Sequence, residues 1–133
     1  MATDLVTLCV PAKGEYAKTV RMTAAALVSR MGMTYDEVDD VRMAAEEAFV
    51  YAVDTLEEDA EVRFDFAVAE DEVTISVRLG SEDPVSDEEA ERRAAYATFI
   101  LEAVCDSYEF SSDESGAHLR LVKRVGVGDG DQA

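Results

Sequence analysis

Residues 61–79, EVRFDFAVAEDEVTISVRL, decide how this chain folds. Val62, Phe64, Phe66 and Val68 alternate with other residues, and after Glu70-Asp71 the alternation resumes in Val73, Ile75, Val77 and Leu79. Successive strand side chains point to opposite faces, so two such runs joined by an acidic turn predict an antiparallel hairpin with one buried face. The flanking sequence supplies a cover for that face. Thr34-Tyr35-Asp36-Glu37 reads as a capping box, in which hydroxyl and carboxylate satisfy the free amides of a helix start. Val38, Val41, Ala45, Ala48, Phe49, Ala52 and Leu56 then follow at helical spacing. An earlier amphipathic helix is predicted from Glu15 to Met31, with Ala17, Val20, Ala24, Leu27, Val28 and Met31 inward and Gly32 as its stop. The apolar run Leu5 to Val10 before Pro11 predicts an opening strand.

Downstream, Ser86 to Glu89 forms an S-x-x-E cap for a helix through Val104, with Ala94, Ala97, Ile100, Leu101 and Val104 inward. Tyr108-Phe110 and Leu119-Leu121, around the turn Asp113-Glu114-Ser115-Gly116, make a second hairpin. Strand, helix, helix, strand, strand, helix, strand, strand predicts an α+β fold. Its form is a two-layer α/β sandwich, with a five-stranded, mostly antiparallel sheet and three helices on one face. Residues 3–125 read as one domain and the Gly/Asp-rich residues 126–133 as a flexible tail.

The chain has 133 residues, 30 of them acidic against 12 basic, for a formal charge of −18. Such a charge disfavours nucleic acid and anionic lipid. It leaves two readings open, steering of a basic partner or solubility alone. Cys9 and Cys105 lie far apart without a CxxC spacing, which suits reduced thiols rather than a metal or redox site. No secretory leader or spanning apolar run is recognisable, which predicts a soluble cytoplasmic protein. Glu46, His118 and the pair Arg92-Arg93 read as surface residues. Met22, Met43 and the run Thr23-Ala24-Ala25-Ala26 fit either close helix packing or an apolar docking patch.

Several segments resemble one family over nearly the whole domain. They are Val10-Pro11-Ala12, Val20-Arg21-Met22-Thr23, Met33-Thr34-Tyr35-Asp36-Glu37-Val38 and Asp40-Val41-Arg42-Met43-Ala44-Ala45-Glu46-Glu47-Ala48, followed by Val73-Thr74-Ile75-Ser76-Val77-Arg78 and Ile100-Leu101-Glu102-Ala103-Val104-Cys105-Asp106. On these residues the chain resembles the GHKL, or histidine-kinase-like, ATPases, and among them the RsbW/SpoIIAB serine-kinase anti-sigma factors. The resemblance implies a Bergerat-type sandwich that binds ATP between a helix and the sheet and phosphorylates a serine on an anti-anti-sigma protein. It also implies alternate binding of a sigma factor, usually by a homodimer.

The family's nucleotide boxes are substituted here. A Glu serving as general base and a magnesium-holding Asn four residues on would share one helix face. Glu47 keeps the first position, and Tyr51, a bulky neutral phenol, takes the second. The Asp that reads the adenine amino group aligns with Leu79, or with Arg78 after a one-residue shift, ahead of Gly80. The glycines of a phosphate-approaching G-x-G become Ala95 and Ala97 inside a continuous helical pattern. The segment between Gly80 and Ala95 is short for a lid and acidic, with Glu82, Asp83, Asp87, Glu88, Glu89 and Glu91.

These substitutions imply a partner-switching binding module in which Glu47 is a relic base and neither ATP nor magnesium is a cofactor. A divergent ATP-dependent serine kinase is the alternative. A third reading is a small-ligand pocket where nucleotide once bound, beside Tyr51 and Leu79.

Overall fold

The computed structural model describes residues 3–80 and 88–126. Strand β1 (Asp4–Pro11) leads through a 3-10 turn (Gly14–Tyr16) into helix α1 (Ala17–Val28), followed by α2 (Tyr35–Thr55). The hairpin β2 (Glu61–Val68) and β3 (Glu72–Leu79) comes next, then α3 (Glu88–Val104), β4 (Ser107–Asp113) and β5 (Gly116–Arg124). The five strands form one antiparallel sheet in the order β1-β2-β3-β5-β4. This is the α+β sandwich expected from the hydrophobic pattern, with every neighbouring pair antiparallel. The S-x-x-E cap at Ser86 and the tail 127–133 lie outside the described residues. Among the described residues no helix is long and apolar enough to cross a membrane.

Register explains why a single core forms. Phe64 pairs with Val77 and Phe66 with Ile75. On one side Leu8 and Val10 sit opposite Phe64 and Val62, and on the other Leu119 and Leu121 sit opposite Val77 and Ile75. All of these side chains point to the same face, and the helices cover it. Val20, Ala24 and Val28 of α1, Val41, Ala44, Ala45, Ala48, Phe49 and Ala52 of α2, and Ala97, Leu101 and Val104 of α3 are buried. Phe49 lies 6.5 Å from Phe64, and Phe64 lies 5.8 Å from Phe66. Truncating such a ring to alanine costs about 3–5 kcal/mol, so this line of phenyl groups is a main source of stability. The other face of the sheet carries Thr7, Cys9, Arg63 and Asp65, where Thr7 Oγ1 donates to Asp65 Oδ1 at 2.7 Å. Cys9 is exposed there and Cys105 follows α3 half-buried; both are free thiols, and burial pushes the Cys105 thiol up to about 12.

The capping box is present as read. The Glu37 amide donates to Thr34 Oγ1 at 3.1 Å, and the Thr34 amide donates to Glu37 Oε1 at 2.8 Å. The first helix is shorter than its periodicity predicts. Its opening residues wind as the 3-10 turn, and at its far end the Ser29 amide donates to the Ala25 carbonyl while Ser29 Oγ donates to Ala26 O at 3.0 Å. Met31 then closes a turn onto Val28, and Gly32 reverses the chain at φ +83°, a conformation with little cost only for glycine.

Gly80 has a different role. Its amide donates to Thr55 Oγ1 at 2.9 Å, and Thr55 Oγ1 in turn donates to Ala52 O at 2.8 Å, so the end of β3 is stitched to the last turn of α2. A Cβ on Gly80 would land on the Thr55 carbonyl and come 2.9 Å from Leu56 Cα, which is backbone that cannot swing away. Gly80→Ala is therefore expected to cost about 1–3 kcal/mol in urea unfolding, against about 1 kcal/mol for Thr55→Val, which removes only the hydroxyl's bonds. An unchanged midpoint for Gly80→Ala would show that the two backbones do not meet this closely.

Candidate functional site

Helices α2 and α3 run antiparallel, tied at both ends by cations. Lys123 Nζ donates to Asp40 Oδ2 at 3.1 Å and to the Val104 carbonyl at 3.0 Å, joining the start of α2 to the C-terminus of α3. A cation is favoured at that terminus, where the last carbonyls concentrate negative charge. At the other end Arg93 Nε meets Asp54 Oδ2 at 3.2 Å. Around this second tie lies an open groove of about 330 Å³ lined by Glu47, Val50, Tyr51, Asp54, Glu89, Arg92, Arg93 and Tyr96.

Of the residues singled out in the sequence, the groove unites Glu47 and Tyr51 with Glu89, Arg92 and Arg93. Glu47 and Tyr51 are the two box positions among them. They stand one helical turn apart on α2 and so share a face. Glu47 is half-buried, and its carboxyl is held above the usual carboxylate range, first by burial and then by the negative charges of Glu46 and Asp54. Tyr51 sets its ring edge-on to Phe110 of β4, with centroids 5.5 Å apart and planes at 60°. Phe110 in turn meets Tyr108 edge-on at 6.4 Å. Quadrupole attraction in such pairs adds about 0.5–1.5 kcal/mol beyond area burial.

The remaining positions lie elsewhere. Leu79 ends β3 opposite Ala117 and packs against the core, and Gly80 is fastened to Thr55; neither lines the groove. Ala95 and Ala97 sit within uninterrupted α3, Ala95 toward solvent and Ala97 fully buried. Part of the acidic run after Gly80, residues 81–87, is outside the described residues. Glu88, Glu89 and Glu91 occupy the first turn of α3.

Two features were not legible in the sequence. Phe110 as the partner of Tyr51 is one, and its only signal was the same-face pair Tyr108-x-Phe110 on a strand. The other is the β4–β5 turn, where Ser115 Oγ bonds Asp113 Oδ1 at 2.6 Å and lies 2.9 Å from His118 Nε2, which is itself 3.4 Å from Asp113 Oδ1. The carboxylate approaches the same ring nitrogen that faces the serine instead of orienting the far one, so the trio is a turn clasp and not a nucleophile-base relay. Glu46 is more than a surface carboxylate: it binds Arg21 at 3.1 Å and joins α1 to α2. Among the described residues no group of three or more His, Cys, Asp or Glu side chains is placed to hold a metal ion.

The raised carboxyl of Glu47 gives a signed pH prediction. Because folding favours its protonated form, the stability tied to Glu47 is fully present below its ordinary value of 4.5 and is lost as pH rises through its higher folded value. Glu47→Gln is expected to match the parent near pH 4 and to melt roughly 1–3 °C higher above pH 6, a small effect because water screens a half-exposed group. A lower melting temperature for the variant at neutral pH would contradict this assignment.

Known proteins resemble this chain in sequence. The serine-protein kinase RsbW of Listeria monocytogenes serovar 1/2a is 29% identical over 139 aligned residues, covering 92% of this chain and 88% of the relative. The RsbW of Oceanobacillus iheyensis is 26% identical, covering 92% and 87%. The RsbW of Bacillus subtilis is 38% identical over 77 residues, covering 56% and 48%. The family model described as histidine kinase-like ATPase domain matches residues 10–123, and the chain belongs to that family.

Proposed function

We propose that this chain is an anti-sigma-factor-like regulator that works by protein–protein binding, switching between partners, and that its kinase chemistry has been lost. Its partners on this account are a sigma factor, an anti-anti-sigma protein or both, met in the cytoplasm by a homodimer. Residues 3–125 form the histidine-kinase-like domain and 126–133 a tail. The observation that carries the proposal is the Tyr51 ring lodged against Phe110 beside Glu47. The chemistry of the positions agrees with it. A phenol is a poor ligand for a hard cation, Leu79 has no acceptor for an adenine amino group, and Ala95 and Ala97 continue a helix instead of opening a glycine turn to a phosphate. Of the charged groups lining the groove, Glu47, Asp54 and Glu89 outnumber Arg92 and Arg93, and Arg93 is already held by Asp54, so the lining carries no net positive charge for a triphosphate. These residues do not fit Mg-ATP, so Glu47 is left as a base without a reaction.

A second function, an ATP-dependent protein serine kinase using a shifted nucleotide pose, draws on the retained Glu47 and on the name serine-protein kinase carried by the relatives. The two separate by linkage, because a ligand of the native state must stabilise it, by about 2.7 kcal/mol at 100 times its Kd. Addition of about 5 mM Mg-ATP is expected to leave the melting temperature unchanged in the parent chain. A rise of several degrees, or phosphate transfer to a serine of a co-purified partner, would restore the kinase. Purification of the chain from cells is expected to bring down a sigma factor or its antagonist, and recovery of neither would count against partner switching.

A further inference from the structure

Strand β1 ends the sheet, and among the described residues no strand pairs with its free side. The direction of its backbone groups can be assigned. The Ala12 amide donates to the Ala60 carbonyl at 2.9 Å, and residues 12 and 60 continue the register that opposes Val10 to Val62. Opposed residues of an antiparallel pair exchange bonds at every second position, so Asp4, Val6, Leu8 and Val10 bond β2. The hairpin agrees. There the Ala69 amide donates to the Glu72 carbonyl, which gives the odd-numbered residues of β2 to β3 and the even-numbered ones to β1. Leu5, Thr7 and Cys9 therefore turn their amides and carbonyls to the free edge, followed by Pro11, which has no amide to offer.

This edge differs from the rest of a very acidic chain. No charged residue stands between Asp4 and Lys13, although the chain as a whole carries −18. In the neighbouring row Arg63 and Asp65 meet each other at 3.4 Å and Asp65 also accepts from Thr7, which leaves Glu61 beside Pro11 as the one unpaired charge there. Edge strands are ordinarily blunted by Lys, by inward charges or by a bulge. Apart from Pro11 at its end β1 has none of these: its register runs unbroken from Asp4 to Pro11, and Leu5 is 68% exposed. The helix layer also stops short of it. Val6 and Leu8 point to the helix face yet are only half-buried, whereas Val62, Phe64 and Phe66 in the next strand are fully buried.

A second copy of this chain fits that edge. Two chains of the same sign approach most easily where neither carries charge, and antiparallel strands satisfy a two-fold axis. With the axis at Thr7, Leu5 faces Cys9 of the second copy, Thr7 faces Thr7 of the second copy, and every outward amide finds a carbonyl, about six bonds in all. Pro11 then falls outside the ladder. Val6 comes opposite Leu8 of the second copy on the helix side, so the half-buried pair gains cover. We propose that β1 pairs antiparallel with β1 of a second copy about an axis at Thr7, joining the two sheets edge to edge. This rests on the homodimer of the function above and names its surface.

Sedimentation equilibrium of the full chain over about 1–200 μM measures the association, which is reversible because a single strand pair is a small interface. Raising NaCl from about 0.05 to 0.5 M is expected to tighten the dimer about threefold or more, since salt screens the repulsion between the chains while the contact itself is neutral. Thr7→Lys sets like charges face to face on the axis and is expected to weaken the dimer about tenfold with an unchanged far-ultraviolet circular dichroism spectrum. Leu5→Cys reads the register. Positions 5 and 9 of one strand lie about 13 Å apart, too far for a disulfide within one chain. With glutathione disulfide as oxidant, itself reduced to two thiols, the introduced thiol is expected to bond Cys9 of the second copy and give a covalent dimer. Leu5→Cys combined with Cys9→Ser is expected to give none. A monomeric parent, a dimer that salt weakens, full association in Thr7→Lys, or cross-linking that survives Cys9→Ser overturns the proposal. A dimer indifferent to Thr7→Lys removes only this surface, a monomeric parent removes the homodimer with it, and a melting shift with Mg-ATP in an intact dimer removes only the loss of catalysis.

Discussion

Ala44, Ala45, Ala48 and Ala52 give α2 a buried face of methyl groups, interrupted by Val41 and Phe49, and the inward side chains of β2 and β3 meet that face. Side chains this small let the helix backbone lie close to the sheet, and the one large ring, Phe49, fixes its position by packing at Phe64. Much else follows from that seat. The last turn of α2 comes down on the end of β3, which is why a residue without a side chain is required at Gly80. Tyr51 is brought to the β4 edge and finds Phe110. Glu46, Glu47 and Val50 are turned away from the core, toward α1, α3 and solvent.

The same seat separates scaffold from chemistry. A histidine kinase-like ATPase fold persists here with its sheet, its helix layer and its long second helix in place. The positions where the resemblance leads one to look for nucleotide contacts hold groups that satisfy one another instead. Tyr51 meets a phenyl ring, Leu79 meets the core, Gly80 meets Thr55, and Ala97 is packed within α3. Each of these contacts is made within the protein itself. Its helices expose Met43, Val50, Tyr96 and Phe99 on their outer sides.

How much of this was legible in the sequence depended on whether the signal was local. Alternation across Val62 to Leu79 and the Thr34/Glu37 box report on neighbouring residues, so hairpin, register and helix start could be read directly. The first helix was read too long because its spacing continues past both ends, while the 3-10 opening and the Ser29 closure depend on hydrogen bonds that periodicity does not encode. Glu47 and Tyr51 share a face by helical geometry, and that was legible too. Phe110 against Tyr51, and Thr55 beneath Gly80, join residues far apart in the chain through tertiary packing alone. The exposure of Met43, Tyr96 and Phe99 was hidden for the same reason, since an apolar residue on an amphipathic helix declares its face only once the neighbouring helix is placed.

On the proposed function, the Tyr51 ring, closed on Phe110, stands where a nucleotide and its cation would need room. A crystal structure grown with a non-hydrolysable ATP analogue and magnesium tests it most directly. The account predicts the ring still edge-on to Phe110 with no purine density beside Leu79. An analogue seated along α2 with magnesium bridging its phosphates and Glu47 would contradict it.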